Sequence, residues 1–157
     1  MKKEQGFSLI ELLIVVAIIA IIAAIAVPSM LTSRMAANEA GAIQGCRTIG
    51  SAEVAYAATN NQQYTDLSTL VSGGFLDSRF GTTGAINGYT YAAGDVVGTD
   101  LDGSPPTSFG YVATPGTGMG RFIFGIAPDQ VVRYQGTIGG APLPPGVTAG
   151  DPIGKTN

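Results

Sequence analysis

The chain has 157 residues, with 8 lysines and arginines against 11 aspartates and glutamates, and a formal net charge of −3. It contains no histidine and a single cysteine, which excludes a histidine-based catalytic triad, a Cys/His zinc site and a C-x-x-C-H haem attachment. The basic residues form no patch, so nucleic-acid binding is not indicated. We expect a protein that is not an enzyme and holds no cofactor, although an enzyme built on carboxylates alone stays compatible with this composition.

The N-terminus has the pattern of a membrane-spanning helix. Residues 7–27 are apolar except for Ser8 and Glu11, and a helix of that length extends about 32 Å, close to the thickness of bilayer hydrocarbon. Lys2 and Lys3 favour keeping the N-terminus in the cytoplasm. An ordinary secretory signal has an apolar core of only about 7–15 residues, followed by a small-residue cleavage site. The longer run therefore favours a spanning helix.

Glu11 is the anomaly in this segment. A carboxylate near the start of a spanning helix costs about 3 kcal/mol or more in hydrocarbon, so such a group usually has a function and a partner. A second possibility is that Glu11 lies at the headgroup level and is solvated there. The sequence thus raises the question of which cation meets Glu11.

The run Gly6-Phe7-Ser8-Leu9-Ile10-Glu11-Leu12, followed by Pro28, resembles the class III leader of type IV prepilins. The resemblance implies a leader of residues 1–6, cleavage by a prepilin peptidase between Gly6 and Phe7, and N-methylation of Phe7. It also implies that Glu11 pairs with the terminal amine of a neighbouring subunit during assembly. Pairing with the chain's own Phe7 amine is also conceivable, because residues four apart share a helix face.

The resemblance carries expectations about partners and location. It implies a precursor held in the inner membrane, which an assembly platform and a separate ATPase motor polymerise into an extracellular helical filament that supports adhesion or motility. A minor pilin and the major pseudopilin of a type II secretion system, which forms a periplasmic pseudopilus, are alternatives within the family. From another class, an uncleaved bitopic membrane protein with a small periplasmic binding domain competes with them.

Four segments are predicted along the chain: the leader 1–6, a hydrophobic transmembrane and filament-core helix 7–28, an amphipathic helical half 29–60, and a globular head 61–157. In the second helical half, small or apolar residues recur at helical spacing: Met35, Ala42, Cys46, Ile49 and Tyr56. Pro28 is expected to kink the helix. Gly41, Gly45 and Gly50 are predicted to be sites of close packing or of local flexibility.

The head is predicted to be α+β, with the long helix packed on about four antiparallel strands. Asn60 to Gln63 should end the helix, and Thr65 or Asp66 should cap a short helix that Gly73-Gly74 terminates. The β-type runs that follow are separated by turn clusters: 89–91, 109–114, 121–126 and 130–134. Many family members have Asp-Gly at the last turn, where this chain has Asp129-Gln130, so a different turn type is expected.

Three further features have competing explanations. Cys46 has no partner for an intrachain disulfide and is expected to be a small packing residue, with an intersubunit disulfide or a redox role as alternatives. Asp95, Asp100 and Asp102 form a weak calcium candidate, because the loop lacks a closing acidic residue. The glycine- and proline-rich tail 139–157 is expected to be extended or poorly ordered, on the filament surface.

Overall fold

The computed structural model describes residues 7–81, 84–96 and 107–155. It divides into two units, Met1–Arg34 and Met35–Asn157. The described part of the first unit is helical from Leu9 onward. The second, called the globular unit below, contains the sheet and the core.

Helix α1 covers Leu9–Thr59 and includes Pro28, so the predicted long helix is confirmed. Its C-terminal end is closed by a backbone hydrogen bond from the Gln62 N–H to the Ala57 carbonyl at 2.9 Å. Asn61 next to it has φ of 54°, which is the left-handed conformation that commonly terminates helices and that asparagine tolerates. The polar break predicted at Asn60 to Gln63 therefore ends α1.

A second helix, α2, covers Leu67–Ser72. Its N-cap is Asp66, whose side chain accepts a hydrogen bond from the Thr69 N–H at 2.7 Å, and its C-cap is Gly73. Both ends agree with the sequence prediction, because a short side-chain oxygen at the N-cap satisfies a free helical N–H. A 3₁₀ helix, Ser78–Gly81, follows.

Four antiparallel strands in the order β1-β2-β3-β4 form the sheet. They are β1 (Tyr89–Ala93), β2 (Tyr111–Pro115), β3 (Phe122–Ile126) and β4 (Val132–Thr137). Each strand pairs with the next along the chain, so the predicted meander and its strand number are confirmed. The α+β fold class is confirmed with it: one long helix packs on a small antiparallel sheet.

The core lies between the sheet and the face of α1 that carries Ala42, Cys46 and Ile49, all fully buried. Alternate side chains of β2 and β3 point into this core, as expected for strands with one buried face. Their aromatic members make edge contacts that fix the packing, such as Phe122 with Tyr134 at a ring separation of 5.4 Å. The predicted stripe on α1 is thus the core face of the helix.

The predicted close packing is confirmed at Gly45 and Gly50. A Cβ added to Gly45 would lie 2.1 Å from Tyr91 Oη, and one added to Gly50 would lie 2.6 Å from Ile126 Cδ1. Side chains of β1 and β3 therefore approach the α1 backbone more closely than any residue with a Cβ would allow.

The C-terminal tail runs beside β4 rather than lying free. The Tyr134 N–H donates to the Asp151 carbonyl at 3.0 Å, the Gly150 N–H to the Tyr134 carbonyl at 2.7 Å, and the Ile153 N–H to the Val132 carbonyl at 3.0 Å. Instead of the expected extended chain, the described part of the tail is mostly a series of turns, such as the one closed by the Asp151 N–H and the Thr148 carbonyl at 3.1 Å. The hydrogen-bonding edge of β4 binds residues 150–153.

Gln130 lies in the turn before β4, at the position where many family members have glycine. Its φ is 62°, so this glutamine adopts the left-handed conformation that glycine adopts readily. The Val131 N–H donates to Asp129 Oδ1 at 3.1 Å, and Arg133 forms an ion pair with the same carboxylate. The hydrogen bonds of Asp129 support this turn, in which a glutamine and not a glycine adopts the left-handed conformation.

Candidate functional site

Helix α1 begins at a hydrogen bond made by Glu11. The Ser8 N–H donates to Glu11 Oε2 at 2.9 Å, and Leu9 is the first helical residue. A glutamate at the third helical position that accepts from the N-cap N–H is one half of a capping box. Phe7 precedes it with its side chain 90% exposed. Gly6, the predicted residue before the cleaved bond, lies outside the described residues.

The large apolar side chains of the apolar segment, residues 7–28, are not buried by other described residues of the same unit. They are all at least half exposed and are distributed around the helix. A helix that is apolar on all sides belongs inside a membrane or a protein bundle. Helix α1, which contains this segment, is the one helix among the described residues that is long and apolar enough to cross a membrane.

Glu11 is isolated from other charges along the helix. Residues 12–33 contain no charged side chain, and none of the ion pairs between described residues involves Glu11. Among the described residues, its one partner is therefore the backbone N–H of Ser8. That bond uses one carboxylate oxygen, and no cation among the described residues pairs with the charge.

The globular unit contains two buried glutamates that the sequence prediction missed, Glu39 and Glu53. Both lie on the stripe of α1 that carries Cys46, and this position was a signal in the sequence: an acid at a core spacing requires a buried partner.

Glu39 joins α1 to the start of β3. Its Oε1 accepts from the Arg121 backbone N–H at 2.8 Å and from Arg121 Nε at 3.1 Å, and its Oε2 accepts from Nη2 at 3.0 Å. The Arg121 guanidinium also lies 4.9 Å from the ring centroid of Phe122. Nearby, the Asn38 amide donates to the Met119 carbonyl at 2.8 Å. These bonds fasten the β2–β3 turn to the helix.

Glu39→Ala is expected to lower the free energy of unfolding of the globular unit by about 2 kcal/mol, because the variant leaves the Arg121 N–H and guanidinium without their acceptor. Denaturant unfolding of the full chain in detergent micelles, followed by tyrosine fluorescence, measures the change. The matched control is Lys155→Ala, which removes the surface pair Lys155–Asp151 and should cost only about 0.5 kcal/mol. Equal losses in the two variants would contradict the assignment.

Glu53 is completely buried and contacts two other elements. Its Oε2 accepts from the Thr65 N–H at 3.1 Å, and its Oε1 lies 2.7 Å from Tyr111 Oη. Tyr111 Oη in turn lies 2.6 Å from the Thr65 carbonyl oxygen. Burial raises the pKa of Glu53 above its ordinary value, and the hydrogen bonds with Tyr111 and Thr65 oppose this increase.

Cys46 is a packing residue, as predicted. Its side chain is fully buried and forms no disulfide. Burial raises the pKa of the Cys46 thiol to about 12, so the reactive thiolate is scarce at neutral pH.

The calcium candidate is represented in the structure by one residue. Asp95 is exposed, whereas Asp100 and Asp102 lie outside the described residues. Within residues 7–81, 84–96 and 107–155, no three metal-ligating side chains come together.

A long helix packed on a four-stranded antiparallel meander, with an apolar N-terminal part, is the layout of a pilin-like protein. Residues 1–27 match the family model described as the prokaryotic N-terminal methylation motif. No curated protein matches the chain. The motif supports a precursor of the type IV pilin or pseudopilin kind. It covers the leader and most of the apolar segment, and it implies processing by a prepilin peptidase and a membrane-anchored precursor that assembles into a filament.

Proposed function

We propose that the chain is the structural subunit of a type IV pilus. In this proposal, the prepilin peptidase cleaves between Gly6 and Phe7 and methylates the new amine of Phe7. The mature subunit then leaves the inner membrane and joins a helical filament that supports adhesion or twitching motility. The observation that carries the proposal is the methylation motif, which includes most of an apolar segment that is exposed on all sides.

The exposed apolar segment supports polymerisation through the helix. In the membrane its side chains contact lipid, and in a filament they would contact the same segment of neighbouring subunits. Lipid tails are as apolar as leucine, so this exchange gives little hydrophobic driving force. Assembly therefore needs an ATP-driven machine and a specific interaction that is satisfied only in the filament.

Glu11 is suited to provide that interaction. Its one partner in the described part of the chain is the Ser8 N–H, so the carboxylate can still accept from a cation. Cleavage after Gly6 would create such a cation at Phe7 of every subunit. Pairing with the amine of a neighbouring subunit would remove the cost of an uncompensated charge in an apolar environment. Pro28, inside α1, is proposed to bend the helix where the apolar segment ends.

The mature N-terminus tests this proposal directly. Mass spectrometry of the protein isolated from its native membrane should show an N-terminal peptide that begins at N-methylated Phe7. The control is Gly6→Leu, whose side chain should block the protease cleft and leave Met1 or Lys2 at the terminus. An unprocessed terminus in the wild-type protein would refute the pilin function and support an uncleaved bitopic anchor.

The pseudopilin of a type II secretion system is the alternative with the same motif. The two differ in where the filament is found. Immunogold electron microscopy with an antibody to the globular unit should label filaments outside the cell and recover the subunit in the sheared surface fraction. Labelling confined to the periplasm would refute the pilus assignment and support the pseudopilus. The proposed processing at Phe7 would be the same in both cases.

A further inference from the structure

The hydrogen bonds around Glu53 form a closed ring. Its three members are the Glu53 carboxyl group on α1, the Tyr111 hydroxyl on β2, and the backbone of Thr65 in the connection between α1 and α2. Thr65 contributes both its N–H and its carbonyl. The ring therefore fastens one residue of this connection to the helix and to the sheet.

The protons available to the ring determine its charge. The Thr65 carbonyl can only accept, so the 2.6 Å contact with Tyr111 Oη requires the tyrosine proton. A phenol has one proton, and Tyr111 then has none left for Glu53 Oε1 at 2.7 Å. With an ionised carboxylate, one of these two short oxygen–oxygen contacts would contain no proton. A proton on Glu53 Oε1 satisfies both.

We propose that Glu53 is protonated in the folded globular unit, where its carboxyl proton closes the ring that holds Thr65. The Glu53 O–H donates to Tyr111 Oη, Tyr111 donates to the Thr65 carbonyl, and the Thr65 N–H donates to Glu53 Oε2. Loss of the proton breaks the ring at the Glu53–Tyr111 bond. The ring is thus a proton-binding site that makes the α1–α2 connection sensitive to pH.

The charges near Glu53 favour its neutral form. Two titratable groups act on it: the hydrogen bond with Tyr111 from β2 lowers the pKa of Glu53, and the charge of Asp66 at the N-cap of α2 raises it. The pKa of Asp66 is lowered by hydrogen bonds from Ser68 and Thr69, so Asp66 is an anion that repels an ionised Glu53. The ion pairs between described residues use other carboxylates: Glu39, Asp77, Asp129 and Asp151. No cation in that set compensates Glu53.

The sign of the pH dependence follows from proton linkage. The folded state holds the Glu53 proton to a higher pH than the unfolded chain, in which glutamate has a pKa of about 4.3. The stability contributed by the proton is fully present below that value and is lost as the pH rises through the folded pKa. Between the two values, the unfolding equilibrium constant increases about tenfold per pH unit because of Glu53 alone.

Carboxyl NMR tests the protonation state in the full chain. The chain has four glutamates, Glu4, Glu11, Glu39 and Glu53, so ¹³C labelling of glutamate carboxyls in detergent micelles gives four resonances, and Glu53→Gln identifies the relevant one. We expect the Glu53 resonance to keep the shift of a protonated carboxyl above the ordinary midpoint of about 4.3. A midpoint at or below that value would overturn the proposal.

Unfolding measurements supply the second readout. Glutamine mimics the protonated group, because its amide can donate to Tyr111 Oη and its carbonyl can accept from the Thr65 N–H. The ratio of unfolding constants, wild type over Glu53→Gln, should therefore rise about tenfold per pH unit above about 4.3, up to the folded pKa. The control Glu39→Gln, at a buried glutamate paired with Arg121, should give a ratio that does not rise. A Glu53→Gln variant that fails to fold, or a flat ratio, would contradict the proposal.

Discussion

Replacing Glu11 with glutamine is expected to reduce filament yield by roughly 100-fold or more, while cleavage and membrane insertion continue. Removing one member of a buried ion pair costs about 3–5 kcal/mol, and each 1.4 kcal/mol changes an association constant about tenfold. Glutamine is the informative substitution because its amide oxygen can still accept from the Ser8 N–H, the bond that Glu11 makes in the structure. Only the charge is lost. Quantitative immunoblots of sheared filaments against membrane-bound subunit measure the yield.

Glu11→Val separates the two roles that the structure allows for this carboxylate. Valine removes both the charge and the capping acceptor, and it should improve the insertion of the apolar segment. If the charge pairs with a neighbouring Phe7 amine, glutamine and valine should reduce filament yield alike. If Glu11 only caps its own helix, glutamine should assemble as well as the wild type, and the pairing hypothesis would be refuted. Detection of N-methylated Phe7 in both variants shows that a loss of filaments is not a loss of processing.

The features predicted best from sequence are those encoded by neighbouring residues. The prepilin-like motif, the extent of α1 and the cap of α2 at Asp66 each depend on a short stretch of chain. The meander was predictable for the same reason, because each strand pairs with the next one.

The buried polar contacts escaped prediction because their partners are distant in sequence. Glu39 meets Arg121, 82 residues away, and Glu53 meets Tyr111, 58 residues away. Helical spacing indicates that such a glutamate faces the core, but it cannot identify the strand residue opposite. The pairing of Tyr134 with the tail at Asp151 was missed for a related reason: glycine- and proline-rich composition describes the backbone of the tail and not the strand edge it meets.

The two buried glutamates hold different parts of the globular unit to the same helix. Glu39 fastens the β2–β3 turn, and Glu53 fastens the connection from α1 to α2. Between them lies Gly45, where β1 approaches the helix backbone through Tyr91. The close approach of β1 at Gly45 therefore lies between these two polar contacts along α1.

Gly45→Ala is expected to lower the free energy of unfolding of the globular unit by about 2 kcal/mol, despite the helix propensity of alanine. Alanine is favoured over glycine in a helix by about 1 kcal/mol, but its Cβ would lie 2.1 Å from Tyr91 Oη and 2.5 Å from Cζ. The Tyr91 ring is held by Phe80 at a ring separation of 5.1 Å. It cannot move away without disturbing the core, and such overpacking costs about 1–3 kcal/mol or more.

Gly41 and Tyr91 provide the controls that assign this loss to one contact. At Gly41, one turn earlier, the nearest atom to an added Cβ is Nδ2 at 2.8 Å, the far end of the exposed side chain of Asn87. Gly41→Ala should be neutral or slightly stabilising. Tyr91 Oη is buried and has no hydrogen-bond partner among the described residues, so Tyr91→Phe should cost little. It should also recover about 1 kcal/mol in the Gly45→Ala background, a coupling that a double-mutant cycle measures. The stabilities are measured by denaturant unfolding in micelles. Equal stability of the Gly41→Ala and Gly45→Ala variants would contradict the close contact at Gly45.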